Sequence, residues 1–325
     1  MFCLIAEKMR QILYLVGDSM DEFRWEKVGR IFDPAMLKEK GLFAALMPVP
    51  RILDYNNDII RIYYSPRDKE NRSEVHFFDI NLNNPTEILK MSETPLIKHG
   101  KLGTFDDNGI TMGNIIEVNN KRVLYYTGWN LLKNVPMNNS IGIAEFDENE
   151  NLKRYGDGPI LTRTLYEPYS CASPFVMYDR GMYRMWYASN DKWIVDEEIP
   201  KHYYNIKYAE SNDGIVWQRN CHVAIDYNGT DEYAFGKPWV IKENGIYKMW
   251  YSYRGDYYKI GYAESKDGLD WTRYDYKAGI SVSDNGWDSE MIEYPSIFDH
   301  KNERYMLYNG NGYGKTGIGL AILTR

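Results

Sequence analysis

The chain has 325 residues, 44% hydrophobic and 26% charged, the balance of an ordinary globular protein rather than of a disordered one. Its formal net charge of -7 argues against nucleic acid or an anionic membrane as partner, because such a field attracts neither phosphate nor acidic lipid. The 29 tyrosines and 9 tryptophans favour pleated, half-buried surfaces and so a β-rich fold.

The opening "MFCLIAEKMRQILYLVG" is interrupted by Glu7, Lys8 and Arg10. It has no unbroken apolar core and no small-residue cleavage site, so it reads as neither signal peptide nor membrane span. Cys3, Cys171 and Cys221 lie far apart, a sparse and odd set that fits a reducing compartment. A cytoplasmic protein is the expectation. "DPAMLKEKGLFAAL" (33–46) is the one segment expected to be helical.

From there the chain repeats itself. "RIYYS" (61–65), "VLYYTG" (123–128), "YRMWYAS" (183–189), "YKMWYSY" (247–253) and "YMLYNG" (305–310) are versions of one phrase. Their last aromatics are Tyr64, Tyr126, Tyr187, Tyr251 and Tyr308, at intervals of 62, 61, 64 and 57 residues. Downstream of four of them comes a run with a small residue in it, "IGIAE" (141–145), "IKYAE" (206–210), "IGYAE" (260–264) and "IGLA" (318–321). Then follow polar turns such as "DGIVWQR" (213–219) and "DGLDWTR" (267–273). Pro174, Pro238 and Pro295 stand 13 residues before their reference tyrosines and open apolar runs. Each repeat thus holds about four short strands joined by Gly, Asn and Asp turns.

Five such repeats predict an all-β fold, a five-bladed β-propeller of four-stranded antiparallel blades forming a single domain. The expected blades are 44–98, 109–161, 170–225, 235–281, and 292–325 completed by 21–33. "DEFRWEKVGRI" (21–31) resembles the fourth strands of other repeats. Trp25 is therefore expected on the outer strand of the fifth blade, closing the ring and removing exposed edges.

A propeller gathers the loops entering its first strands at one mouth, a concave place for a ligand. Seven residues before the proline register stand Asp106 (with Gly113 as the second repeat's equivalent), Glu167, Asp231 and Asp288, with Asp107, Glu232, Glu290 and Glu293 beside them. Facing carboxylates suit glycosidic chemistry, one protonated to donate and one ionised to activate water. Aromatic side chains can stack on sugar faces, and Trp129, Tyr169, Tyr233, Trp287, Tyr294 and Tyr313 are candidates. Arg51, Lys237 and Arg163 can pair with a carboxylate or phosphate. The five histidines have no metal-ligand spacing, and neither a metal nor a cofactor is expected.

The segments "SPFVMYDRGMYRMWYAS", "KPWVIKENGIYKMWYSY" and "YPSIFDHKNERYMLYNGNGYGKTGIGLA" resemble the five-bladed propeller glycosidases, including arabinanase/xylosidase, invertase-like and mannoside phosphorylase families. The last two repeats look most like uncharacterised bacterial members, often found near surface-glycan genes, and the resemblance spans roughly residues 20–325. It implies a glycoside-processing enzyme acting on a bacterial glycan or sugar conjugate. In the arabinanase-like families the base is an Asp directly before the first blade's register proline, a second Asp fills that place in the second blade, and the acid is a Glu two before it in the third. Here "PVPRIL" puts Val49 or Pro50 in the first place, Met112 stands in the second and Ala172 in the third. Only Glu293, in the fifth blade, keeps the Glu spacing. The catalytic expectation therefore falls on the entering loops: Glu167 as general acid, with Asp106 or Asp107 and Glu232 as base or charge-stabilising partners. Arg51, Lys237, Glu293, Asp288, Tyr169, Trp129 and Tyr294 are expected to bind the sugar. Glycosyl transfer or phosphorolysis on the same frame, and a non-catalytic sugar-binding module, are the alternatives.

Overall fold

The computed structural model describes residues 23–229 and 231–324. Residues 1–22, which bear the expectation of no signal peptide and include Cys3 and the start of the 21–33 segment, lie outside the described residues. The described chain opens with β1 (Arg24–Phe32). A 3-10 helix over Pro34–Lys40 follows, capped by the Asp33 carboxylate accepting from the Ala35 N–H. The helix expected over 33–46 is thus shorter. Gly41 ends it in a left-handed conformation (φ 68°), and the residues from Leu42 onward pair as strand.

Strands β2 (Leu42–Asp54), β3 (Ile59–Asp68), β4 (His76–Asn81) and β5 (Asn84–Met91) form one antiparallel sheet in chain order. Strands β6 (Gly109–Val118), β7 (Lys121–Leu131), β8 (Met137–Phe146) and β9 (Leu152–Arg154) form a second. An eight-stranded sheet runs from β10 (Cys171–Asp179), β11 (Met182–Asp196), β12 (Ile199–Ser211) and β13 (Val223–Ile225) into β14 (Ala234–Glu243), β15 (Ile246–Arg254), β16 (Tyr258–Ser265) and β17 (Thr272–Arg273). Its two antiparallel halves join only through the parallel pair Tyr204–Ala234. The last sheet holds β18 (Glu293–His300), β19 (Glu303–Asn309) and β20 (Ile318–Thr324), with β1 on its outside. Trp25 pairs with Leu323 in that outer position.

The repeated phrase explains how the sheets pack. The reference tyrosines Tyr64, Tyr126, Tyr187, Tyr251 and Tyr308 are all buried on second strands. Tyr126, Tyr251 and Tyr308 stand opposite Gly142, Gly261 and Gly319 on the third strands. A Cβ at Gly142 would lie 2.3 Å from the Tyr126 ring, so the small residue in "IGIAE" is where the ring must lie. The residue before each reference tyrosine faces the next sheet. Tyr125 donates its hydroxyl to Gly214 O at 2.6 Å, and Trp186 its indole N–H to Gly268 O at 2.9 Å. Both acceptors sit in the Asp-Gly turns, whose serines (Ser211, Ser265) bond their aspartates (Asp213, Asp267) identically. Each fully buried aromatic contributes about 1.5–3 kcal/mol of burial.

The first strands contact one another in sequence: β2 with β6, β6 with β10, β10 with β14, β14 with β18, and β18 with β2. They are pinned by one recurring bond. The residue after a reference tyrosine accepts a backbone N–H from the neighbouring first strand: Thr127 from Ser173, Ser252 from Tyr294, and Asn309 from Met47, at 2.7, 2.7 and 2.9 Å. The third of these ties the last sheet to the first.

Candidate functional site

Each first strand carries a register break where the strands converge. In four of them a non-glycine residue directly before a proline has left-handed backbone: Met47, Ser173, Lys237 and Tyr294, with φ of 54, 50, 48 and 57°. Such strain persists only where the surroundings over-determine it, and it concentrates at functional positions. Met47–Pro48 lies opposite Tyr64, because Leu46 pairs with Ser65 and Val49 with Tyr63. The first unit's register proline is therefore Pro48, and the place assigned to Val49 or Pro50 belongs to Met47.

These breaks line a cavity of about 480 Å³. Its floor includes Leu46, Met47, Thr111, Ala172, Ser173, Gly236 and Tyr294. Its walls come from the ends of second strands (Arg67, Trp129, Arg254), from third strands (Asn139, His202, Tyr204, Tyr258) and from the β19–β20 connection (Tyr313, Lys315). Among the described lining residues there are three cations, a histidine and no carboxylate.

Arg67 donates to Asn71 Oδ1 at 2.9 Å and lies over the Trp129 ring at 5.5 Å; burial holds its pKa below the ordinary value. Arg254 donates to the Tyr313 hydroxyl and to Asp256 O, and its guanidinium lies 5.0 Å from the Tyr233 ring and 5.2 Å from Tyr258. Burial, with the charges of Arg254 and Lys201, pulls His202 down to about 4, so it is neutral at neutral pH. Behind this wall lies Glu293, fully buried, with neither carboxyl oxygen hydrogen-bonded. The Tyr313 backbone approaches it without meeting hydrogen-bond geometry. Burial pushes its pKa well above the carboxylate range, against the pull of Arg254, and holds it protonated.

Of the residues expected from sequence to form the site, Trp129, Tyr294 and Tyr313 line the cavity, and Glu293, next to Tyr294 in the chain, is buried off the lining. The acids of the entering loops are turned into their own sheets instead. Asp106 accepts from Tyr126 at 3.2 Å and from Arg154 at 2.7 Å. Glu167 accepts from Tyr187 and Ser189 and pairs with Arg219 at 3.0 Å and Lys207 at 3.3 Å. Asp288 accepts from Tyr308 at 3.1 Å and from Lys27 at 2.6 Å. In each case the acid stands 20 residues before its reference tyrosine and clasps that hydroxyl to a cation. In the β14–β17 unit Asp275 takes the Tyr251 hydroxyl, and Arg273 joins it to Glu232. Asp107 accepts from the Gly103 N–H at 2.9 Å. Arg51 is paired with Glu150, and Tyr169 is 38% exposed and off the lining. Lys237, buried and drawn down to about 7 by burial, donates to Gly113 O at 2.6 Å. No two of the expected catalytic carboxylates face each other across the cavity.

Arg67 and Arg254 were missed, yet the sequence carried their signal. Arg67, Trp129 and Arg254 each stand three residues after a reference tyrosine. That position lies within two residues of the second strand's end, at the cavity, whereas the entering-loop acids precede the first strand. Asn139, Tyr204 and Tyr258 each stand two residues before the third-strand runs "IGIAE", "IKYAE" and "IGYAE", a second register that reaches the cavity, whereas His202 belongs to the long β11–β12 hairpin. Among the described residues no group of three metal-ligating side chains occurs, and no helix is long and apolar enough to cross a membrane.

No family model matches the chain. It is 42% identical over 300 residues to the uncharacterized protein Rv1502 of Mycobacterium tuberculosis, covering 92% of this chain and 99% of that one. A 1,2-beta-oligomannan phosphorylase of a Thermoanaerobacter species is 31% identical over 150 residues, 43% of this chain and 49% of that protein. A solved glycoside hydrolase superposes with TM-score 0.73 at 16% identity, covering 98% of this chain and 95% of the other, a likeness of fold. The chain belongs to the family of the mycobacterial protein Rv1502, on the β-propeller fold shared by glycoside hydrolases and mannoside phosphorylases.

Proposed function

We propose that this protein is a five-bladed propeller, its ring closed by β1, that binds a carbohydrate in its central cavity without two-carboxylate hydrolysis. The blade reading is supported by the circuit of first-strand contacts, which returns from β18 to β2. The sugar reading is supported by the fold shared with glycoside hydrolases and by the cavity wall. Trp129, Tyr258 and Tyr294 offer faces for the apolar side of a sugar ring, and Thr111 and Asn139 offer partners for hydroxyls.

One observation carries the absence of hydrolysis: among the described residues no Asp or Glu lines the cavity. Both hydrolytic routes need two carboxylates flanking the glycosidic bond, about 5 to 9.5 Å apart. The residues directly before the register position are Met47, Met112, Ser173, Lys237 and Tyr294, none of them acidic. Glu167, Asp106, Asp288 and Glu232, proposed from sequence for catalysis or binding, are read instead as structural clasps. A glycan array followed by mass spectrometry of the bound species tests this: binding with the glycan intact supports it, and released product rejects it.

A second reading is favoured by Glu293. One protonated carboxyl beside a cationic cavity suits glycosyl transfer to an anionic acceptor such as phosphate, because an anion needs no protein base to act as nucleophile. The partial likeness to an oligomannan phosphorylase agrees with it. Turnover that requires phosphate and disappears in Glu293→Gln would establish it.

A further inference from the structure

We infer that the cavity's ligand is an acidic sugar, a carbohydrate unit carrying its own carboxylate or phosphate; this rests on the sugar-binding reading above. The rest of the molecule provides the comparison. Arg61 pairs with Asp79, Arg154 with Asp106, Arg219 with Glu167, Arg273 with Glu232, and Arg304 with Asp299. Among the described residues, Arg24, Arg67, Arg163 and Arg254 are the arginines with no carboxylate within 4.0 Å. Arg24 and Arg163 are exposed, where water screens them. Arg67 and Arg254 are half-buried, and both line the cavity.

A guanidinium withdrawn from water without a counter-charge is costly, and here the wall supplies none. Lys315, itself exposed, adds a third cation with no acidic partner among the described residues, His202 is neutral, and Glu293 is fully buried and off the lining. An oxyanion on the ligand would provide the missing charge, and a guanidinium fork meets a carboxylate or phosphate through two N–H groups. A neutral sugar would leave both arginines uncompensated. Free phosphate would satisfy them but leave the aromatic wall uncovered. A single molecule with both features fits the whole lining.

The test uses the full chain on an array of neutral, uronate-bearing and phosphorylated oligosaccharides, followed by calorimetry. The comparison pairs are a uronate and its methyl ester, and a sugar phosphate and its dephosphorylated form, each with and without inorganic phosphate. The acidic member should bind at least about ten-fold more tightly than its neutral partner, and added salt should narrow the gap. Arg67→Met and Arg254→Met should each reduce it; if either fails to fold by circular dichroism, salt dependence in the unaltered protein decides. Equal affinity for neutral and acidic members overturns the inference and leaves the sugar-binding reading standing. Neutral-sugar binding that requires inorganic phosphate also overturns it, in favour of separate anion and sugar. Failure to bind any glycan overturns both.

Discussion

The Tyr187 hydroxyl donates to the Glu167 carboxylate at 3.0 Å, and both groups are buried. Arg219 and Lys207 close on the same carboxylate, so Glu167 holds β12 and the connection after it to the second strand. Glu167→Gln removes the charge and leaves the buried Lys207 and the partly buried Arg219 unpaired, at an expected cost of about 3 kcal/mol in stability. Urea denaturation measures it. A loss below about 1 kcal/mol would show that the clasp is dispensable and reopen a catalytic role.

Trp25 is 5% exposed on β1 and meets Trp250 edge to face at 6.0 Å. If β1 completes the last unit, Trp25→Ala should destabilise the whole protein by about 3–5 kcal/mol in one cooperative transition. A separate early transition confined to the C-terminal sheet would contradict closure of the ring.

His76 is buried against Ser92, and burial, with the charge of Lys40, holds its pKa at about 4 against an ordinary 6.5. Below pH 6.5 the unfolded chain takes up a proton that the folded chain refuses. Stability is therefore full above that pH, falls as pH drops towards 4, and levels off below, a loss of about 3 kcal/mol for this group. Thermal melts of the wild type and His76→Phe across pH 7.5 to 4 should show a shallower decline in the variant. Parallel curves would place His76 in water.

Glu293 has the opposite linkage. Its folded pKa is raised, so the folded state keeps a proton that the unfolded chain has lost, and stability falls as pH rises from about 4.5. Glu293→Gln replaces a neutral carboxyl by a neutral amide. It should leave stability near pH 4 within about 1 kcal/mol and raise it at pH 8. Denaturation at both pH values reads this out, and a variant destabilised at pH 8 would mean that the carboxylate is ionised and paired.

The architecture was legible because it is written in packing. A ring 0 or 1% exposed at Tyr64, Tyr126, Tyr187, Tyr251 and Tyr308 tolerates little change, and a glycine opposite it tolerates less. The register proline of the first unit was misplaced because the β2–β3 hairpin is longer there: Pro48 precedes Tyr64 by 16 residues, against 13 elsewhere. The entering-loop acids were identified as a set, but their direction was not visible. An acid 20 residues before a tyrosine has the same spacing whether it faces an axis or that tyrosine's hydroxyl, and only the cations Lys27 and Arg154 on other strands and Arg219 in the β12–β13 connection decide. The cavity arginines share one register, three residues after a reference tyrosine, but that spacing does not say which way they point; what marks them is the lack of an acidic partner in space.

The central claim is that a sugar enters this cavity and leaves it chemically unchanged. The most direct measurement incubates the best-binding array glycan with the wild type in phosphate-free buffer and follows its mass after saturable binding is shown by calorimetry. Recovery of the intact glycan, with binding lost in Trp129→Ala, is the expected result. A hydrolysed product that vanishes in a folded Glu167→Gln variant would contradict it and return the acids of the entering loops to catalysis.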